Sequence, residues 1–278
     1  MPGDYDELYV VAREVLLDAL EALGEHRNAI VLVGAQAIYL RTGEADLAVA
    51  PYTTDGDLVV DPTALGAIPP LERALGDAGF APDSPSSVGI WKTSRARGGG
   101  DVVVAIDLLV PRSVSVGKGR RDAKLEGHAP RAARIVDGLE GTLIDHDEMD
   151  VAALREADAR RLRVRVAGPA GLLVAKAFKV HERKAEVDRL RDKDALDVLR
   201  LLRGTELDEL VERFRRLLSD EPSGAVSAQG IRYLGELFRE PTAIGARMAA
   251  RAVGTLEDAE ENAASCAVLT DDLLAAFG

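Results

Sequence analysis

A change of texture near Gly168-Pro169 constrains the fold more than any other feature of this chain. Upstream of it, short apolar runs such as "AIVLV", "DLVVD", "SVGIWKTS" and "DVVVAIDLLVP" alternate with amphipathic stretches. Runs of that length, rich in β-branched residues and bounded by Gly, Pro and Asp, predict strands. Downstream the periodicity becomes helical throughout, as in "GPAGLLVAKAFKVHERK", "KDALDVLRLLRG" and "LDELVERFRRLLS". Pro169 suits a first helical turn, where its missing N–H leaves nothing unpaired. The expectation is an α/β (α+β) protein. A mixed-sheet domain over residues 1–167 precedes an α-helical domain over 168–278, with the functional cleft between the two.

Within the first domain, apolar residues at Leu8, Val11, Val15, Leu16, Ala19, Leu20 and Leu23 predict a helix over 5–23, stopped by Gly24. A buried strand at 30–33 runs into a tight turn at Gly34 and a helix over 35–41, and 44–52 reads as a loop. A strand over 57–61 follows, then a short helix starting at Pro69-Pro70. The runs "SVGIWKTS" and "DVVVAIDLLVP" predict an antiparallel hairpin with the basic tip "RARGGG". The segments "GTLIDHDEM" and "RRLRVRVAG" predict two further strands.

Bulk chemistry removes several function classes. Aromatic residues make up only 4% of the chain, too few for a base-stacking platform. One cysteine, Cys266, excludes a disulfide framework and a cysteine-based zinc site and fits a reducing cytoplasm. The N-terminal stretch starts acidic, unlike a signal peptide, and no apolar run reaches the roughly 18 residues of a membrane span. The net charge of -12 opposes nonspecific nucleic-acid binding. Positive charge is nevertheless clustered in the loops 92–100 and 117–134, where Arg95, Arg97, Arg120 and Arg121 are candidates for an RNA backbone.

The chemistry concentrates in acids. In "YTTDGDLVVD", Asp55 and Asp57 stand two residues apart at the head of a strand, so their side chains project to one side. Like charges that close resist joint ionisation unless a cation lies between them. Asp107 interrupts the apolar run "VVVAIDLLV", where a carboxylate is costly to bury without a positive partner. Three carboxylates with no Cys or His beside them suit Mg²⁺ better than zinc. The strand, glycine turn and helix start at Gly34 are suited to gripping phosphate through backbone N–H groups.

A glycine turn, a helix, Asp-x-Asp and a third Asp on a later strand resemble the nucleotidyltransferase fold of the polymerase-beta superfamily. The downstream "GPAGLLVAKAFKVHERK…RDKDALDVLRLL" is similar to the AbiEii-type nucleotidyltransferases, which include the MenT toxins. The resemblance covers roughly residues 29 to 202. It implies metal ligation by Asp55, Asp57 and Asp107, and catalytic roles for these acids with Lys176 and Asp194. It also implies nucleotide contacts from Gly34, Ala35, Thr54, Lys176 and Lys179, with Mg²⁺ as cofactor and an NTP as substrate. Asp197 lies in the same basic-Asp-x-x-Asp motif. The family turn is usually Gly-Ser or Gly-Gly where this chain has Gly34-Ala35. The resemblance further implies nucleotide transfer, in some members to the 3′ end of tRNA, and pairing with an antitoxin. Two other readings stand beside it: transfer to a small molecule or protein, and a non-catalytic NTP-binding regulatory module.

Overall fold

The computed structural model describes residues 6–43, 53–97, 100–116, 121–184, 189–253 and 258–277. The chain divides into two compact units. The first comprises Met1–Ala37, Pro51–Val136 and His146–Ala167; the second comprises Ile38–Ala50, Asp137–Asp145 and Gly168–Gly278.

The first unit is built on one eight-stranded mixed sheet. Its strands are β1 (Ile30–Val33), β2 (Asp55–Val60), β3 (Ala81–Pro82), β4 (Ile90–Arg97), β5 (Gly100–Pro111), β6 (Arg134–Val136), β7 (His146–Ala152) and β8 (Arg161–Ala167). The order is β3-β4-β5-β2-β1-β8-β7, with β6 pairing to β5 off that path. β2 lies antiparallel to β1 and parallel to β5, so the two strands that carry the acids are neighbours at the centre of the sheet. All four residues of β1 are buried, as are Leu58, Val59 and Val60 of β2 and Ile106 and Leu108 of β5. Helix α1 (Glu7–Ala22) packs against β2 and β5, and the Asp6 side chain caps its first turn through the Leu8 N–H. Helix α3 (Leu71–Asp77) packs against α1.

Three boundaries differ from the sequence expectation. β2 begins at Asp55 rather than residue 57, so both paired acids lie inside the strand. α3 begins at Leu71, one residue after the prolines, with Pro70 as its N-cap. Residues 140–143 form a 3-10 turn, and the strand expected from 141 starts only at His146. Gly141 explains this last difference: it lies 3.2 Å from where a β-carbon of Gly171 would stand, a closeness that a turn of small residues permits. The short strands β3 and β6 were not expected from the sequence.

Two histidines brace the loop before α3. His128 Nδ1 accepts the Leu71 N–H at 3.0 Å, so its Nε2–H points at the Gly66 carbonyl, also 3.0 Å away. His26 Nε2 lies 2.7 Å from the Pro69 carbonyl. Burial lowers the pKa of His128, and the facing His26 adds to that, against the Gly66 carbonyl and Glu72. A folded-state pKa below the unfolded value of about 6.5 means that the His128 contribution is complete above that pH and lost as pH falls through it. The thermal midpoint of the wild type is therefore expected to drop between about pH 7 and pH 5. His128→Gln can keep both hydrogen bonds without titrating and should flatten the profile. An equal decline in that variant would remove His128 as the cause.

The second unit is helical: α4 (Pro169–Arg183), α5 (Arg189–Arg203), α6 (Leu207–Ser219), α7 (Glu221–Phe238), α8 (Ile244–Val253) and α9 (Ala259–Ala275). Helix α2 (Gly34–Thr42) begins in the first unit and ends in the second. Phe214, Leu217, Leu234, Leu237 and Phe238 are buried and form part of the helical core. Among the described residues no helix is long and apolar enough to cross a membrane.

Candidate active site

The sheet brings the three acids of the first unit together. Asp57 on β2 is in direct register with Asp107 on the parallel neighbour β5, and Asp55 is in register with Ala105. Registered residues on adjacent strands share a face at a strand spacing of about 4.8 Å, and residues two apart on one strand share it too. Asp55, Asp57 and Asp107 therefore project from one face. The buried Thr53 hydroxyl donates to Asp55 Oδ1 and holds that carboxylate at the strand entrance. Thr54, the threonine singled out from the sequence, stands half-buried beside it.

Gly34 is placed against these acids. It closes β1 with a φ of 69°, in the left-handed region that favours glycine. A β-carbon there would overlap Asp57 Oδ2 and stand 2.9 Å from Asp57 Cγ. The residue is thus dictated twice, by its backbone and by the carboxylate pressed on it. Ala35 follows, buried in the first turn of α2, and offers that turn a backbone N–H but no hydroxyl.

Arg134 also belongs to this face. Arg134 of β6 reaches Asp107 Oδ2 at 2.5 Å. Sequence reasoning passed over Arg134, because only the parallel β5–β6 pairing brings it to Asp107. The donor chemistry of the face fits a hard cation, since all three acids offer oxygen. Among the described residues, however, no group of three or more His, Cys, Asp or Glu is arranged as a ready-made metal cage. Mg²⁺ does not require one: it is commonly held by one or two carboxylates together with substrate phosphates. Asp55 and Asp57 fit that role, with Asp107 engaged by Arg134.

The remaining sequence candidates form a separate cluster within the second unit. Lys176 Nζ lies 2.7 Å from both Asp194 Oδ1 and Asp197 Oδ2, and all three side chains are at most 6% exposed. Asp197, the second acid of the basic-Asp-x-x-Asp motif, holds the lysine as closely as Asp194 does. Asp194 is also met by Lys179 at 3.3 Å and by Arg183 at 3.1 Å. Burial would lower the pKa of Lys176, but the two carboxylates outweigh it and raise that pKa. Burial would raise the pKa of Asp194, but Lys176, Lys179 and Arg183 lower it. Among the described residues three cations face two carboxylates, a surplus of one positive charge. The members that solvent reaches are Lys179 and Arg183, at 38% and 39% exposure. Arg183 was missed, although its spacing of seven from Lys176 and four from Lys179 puts all three on one helical stripe.

Of the basic stretches considered for RNA, the first is paired within the fold. Arg95 is bound by Asp18 and Arg97 by Glu14, with Glu7 3.3 Å from the Arg97 Nε. Lys92 lies 2.5 Å from Asp83. The acidic face of α1 thus neutralises the arginines of the hairpin. In the second stretch Arg131 donates to the Pro85 carbonyl at 2.5 Å, Arg134 meets Asp107, and Arg121 is exposed. Residues 98–99 and 117–120, Arg120 among them, and the loop 44–52 lie outside the described residues.

No family model matches this chain, and no curated protein matches it. Among solved structures, a crystal structure of a "putative nucleotidyltransferase from H. pylori" is similar over 98% of this chain and 98% of its own, at 12% identity and a TM-score of 0.37. A likeness that loose adds nothing to the site, which rests on its own residues.

Proposed function

We propose that this protein is a nucleotidyltransferase that moves a nucleoside monophosphate from an NTP to an acceptor hydroxyl with Mg²⁺. The observation that carries the reading is the register of Asp57 with Asp107, with Asp55 on the same face and Gly34 against Asp57. Asp55 and Asp57 would hold the cation, which when bound offsets charge on the oxygens of an in-line displacement. Backbone N–H groups at the start of α2, next to Gly34, would face the polyphosphate. The acceptor oxygen attacks the α-phosphorus, the bond to pyrophosphate breaks, and pyrophosphate departs. Asp107, once Arg134 releases it, would join the cation as a third ligand or take the acceptor's proton.

Asp57→Ala is expected to lower transfer from labelled NTP by more than the roughly 100-fold that loss of a supporting outer-shell partner costs. Its thermal midpoint should stay close to wild type. Wild-type transfer by this variant would sink the assignment.

The acceptor is the finer part of the reading. A tRNA 3′ end and a toxin role with a cognate antitoxin rest on the resemblance in sequence. The pairing of Arg95 and Arg97 with α1 favours a second reading, in which the acceptor is a small molecule or a protein side chain. Labelled NTP incubated with and without total tRNA, then resolved on a gel, separates the two. Calorimetry of NTP binding with and without Mg²⁺ tests for a module that has lost catalysis, which would show no metal-dependent affinity.

A further inference from the structure

The position of Arg134 is fixed by more than its ion pair. In β6 it is in register with Leu109 of β5, and Leu109 stands two residues beyond Asp107 on the same strand. Arg134 and Asp107 therefore share the face that carries Asp55 and Asp57. The strand is anchored by Gly89, whose φ of 70° lets its backbone run beside Leu108 and Arg134. Gly89 receives a hydrogen bond from the Leu108 N–H at 2.8 Å and donates to the Arg131 carbonyl at 2.9 Å. The guanidinium grips one carboxylate oxygen with one terminal nitrogen, while its Nε is buried without a hydrogen-bond partner. A two-pronged guanidinium–carboxylate pair would use two parallel bonds. This one uses a single prong and leaves a donor unmet, an arrangement suited to exchange.

We infer that Arg134 is a latch on the metal site: its guanidinium takes the place of a divalent cation at Asp107, and the two compete for that carboxylate. The inference rests on the proposed nucleotidyl-transfer site and adds its regulation. A cation beside Asp55 and Asp57 that recruits Asp107 must displace Arg134, and the displaced guanidinium needs another anion. Phosphate oxygens of the incoming nucleotide are the chemistry its fork fits. Metal alone therefore binds weakly, and full loading of the site depends on substrate.

The test measures Mn²⁺ binding to the intact protein without nucleotide, by calorimetry and by the electron-paramagnetic signal of free Mn²⁺. Arg134→Gln is expected to tighten binding about tenfold, because one cationic competitor for Asp107 is removed. Arg134→Met keeps the apolar stem and replaces the glutamine variant if circular dichroism shows the latter unfolded. Unchanged or weaker binding in the folded variant overturns the latch. Asp57→Ala in the wild-type background separates this from failure of the site itself. Loss of Mn²⁺ binding there, with no gain on removing Arg134, refutes the latch alone. Retention of wild-type binding in Asp57→Ala refutes the site and the latch with it.

Discussion

Lys176→Met is expected to destabilise the helical unit by about 3–5 kcal/mol, as removing one partner of a buried ion pair does. The substitution preserves length and apolar stem but removes the ammonium 2.7 Å from both Asp194 and Asp197. Their side chains are only 2% and 3% exposed, so water cannot replace the lost charge. Lys179 and Arg183 still touch Asp194, and no ion pair among the described residues offers Asp197 a substitute cation. The sign of the pH dependence follows from the two shifts. The raised pKa of Lys176 means its contribution is complete below about pH 10.4 and fades above it. The lowered pKa of Asp194 means its contribution is complete above about pH 3.9 and fades below it. Between about pH 5 and pH 9 the loss should therefore be constant. Urea denaturation of Lys176→Met and of a triple variant with Asp194→Leu and Asp197→Leu makes the test. Replacing the three buried members by apolar residues should recover at least half of the loss, since buried pairs add little net stability over well-packed hydrophobes. A single-variant loss below about 1 kcal/mol would mean that the cluster does not behave as a buried ion pair.

That result bears on how a lysine in such a motif is read. From sequence, Lys176 is the cation of a motif and invites a direct phosphate role. Burial instead makes it the post on which Asp194 is set, and Asp194 in turn holds Lys179 and Arg183 where solvent reaches them. Helical spacing could have shown the stripe Lys176, Lys179 and Arg183. It could not show which member is covered, because that depends on how α5 packs against α4.

The legible part of the first unit is what one strand determines by itself. The shared side of Asp55 and Asp57 follows from the two-residue repeat, and the oddness of Asp107 follows from the apolar run around it. The hairpin of β4 and β5 was readable because a glycine-rich tip joins adjacent segments. The unreadable part depends on pairings between distant segments. Direct register of Asp57 with Asp107 requires β2 and β5 to run parallel, with α3, β3 and β4 between them in sequence. Arg134 enters only through β6, three residues long and invisible to periodicity. Arg95 and Arg97 looked like a free basic surface because their partners on α1 lie some 80 residues upstream. Gly34 was read as a phosphate turn, and its second reason, the carboxylate of Asp57 against its α-carbon, is visible only in three dimensions.

Asp145 illustrates the same limit at the start of α4. It falls within the segment read as a strand, and its charge gave no sign of importance. Its side chain is fully buried and organises the helix from outside it. Gly168, the N-cap of α4, has no side chain to bond the first turn. Asp145 supplies the missing acceptor: Oδ2 takes the Gly171 N–H at 2.9 Å, and its own carbonyl takes the Gly168 N–H at 2.7 Å. A β-carbon on Gly168 would overlap the Asp145 carboxylate, so glycine is required for the acid to reach the helix. Oδ1 meets Arg213 at 2.7 Å and Arg216 at 3.1 Å, tying α6 to the same point. Asp145→Ala removes a buried carboxylate, a helix cap and one of the anions that meet Arg213, which also pairs with Glu209 at 2.8 Å. The expected loss is about 3–5 kcal/mol, mostly through Arg213, because Arg216 is half exposed and solvent screens it. Asp145→Asn keeps an acceptor for the Gly171 N–H but not the charge, and should lose about half as much. Denaturant midpoints measure both. Equal losses would show that the charge does the holding and not the cap, and a midpoint unchanged in Asp145→Ala would show that α4 stands without either. Because α4 carries Lys176, Lys179 and Arg183, whatever fixes its first turn also fixes where those cations are presented.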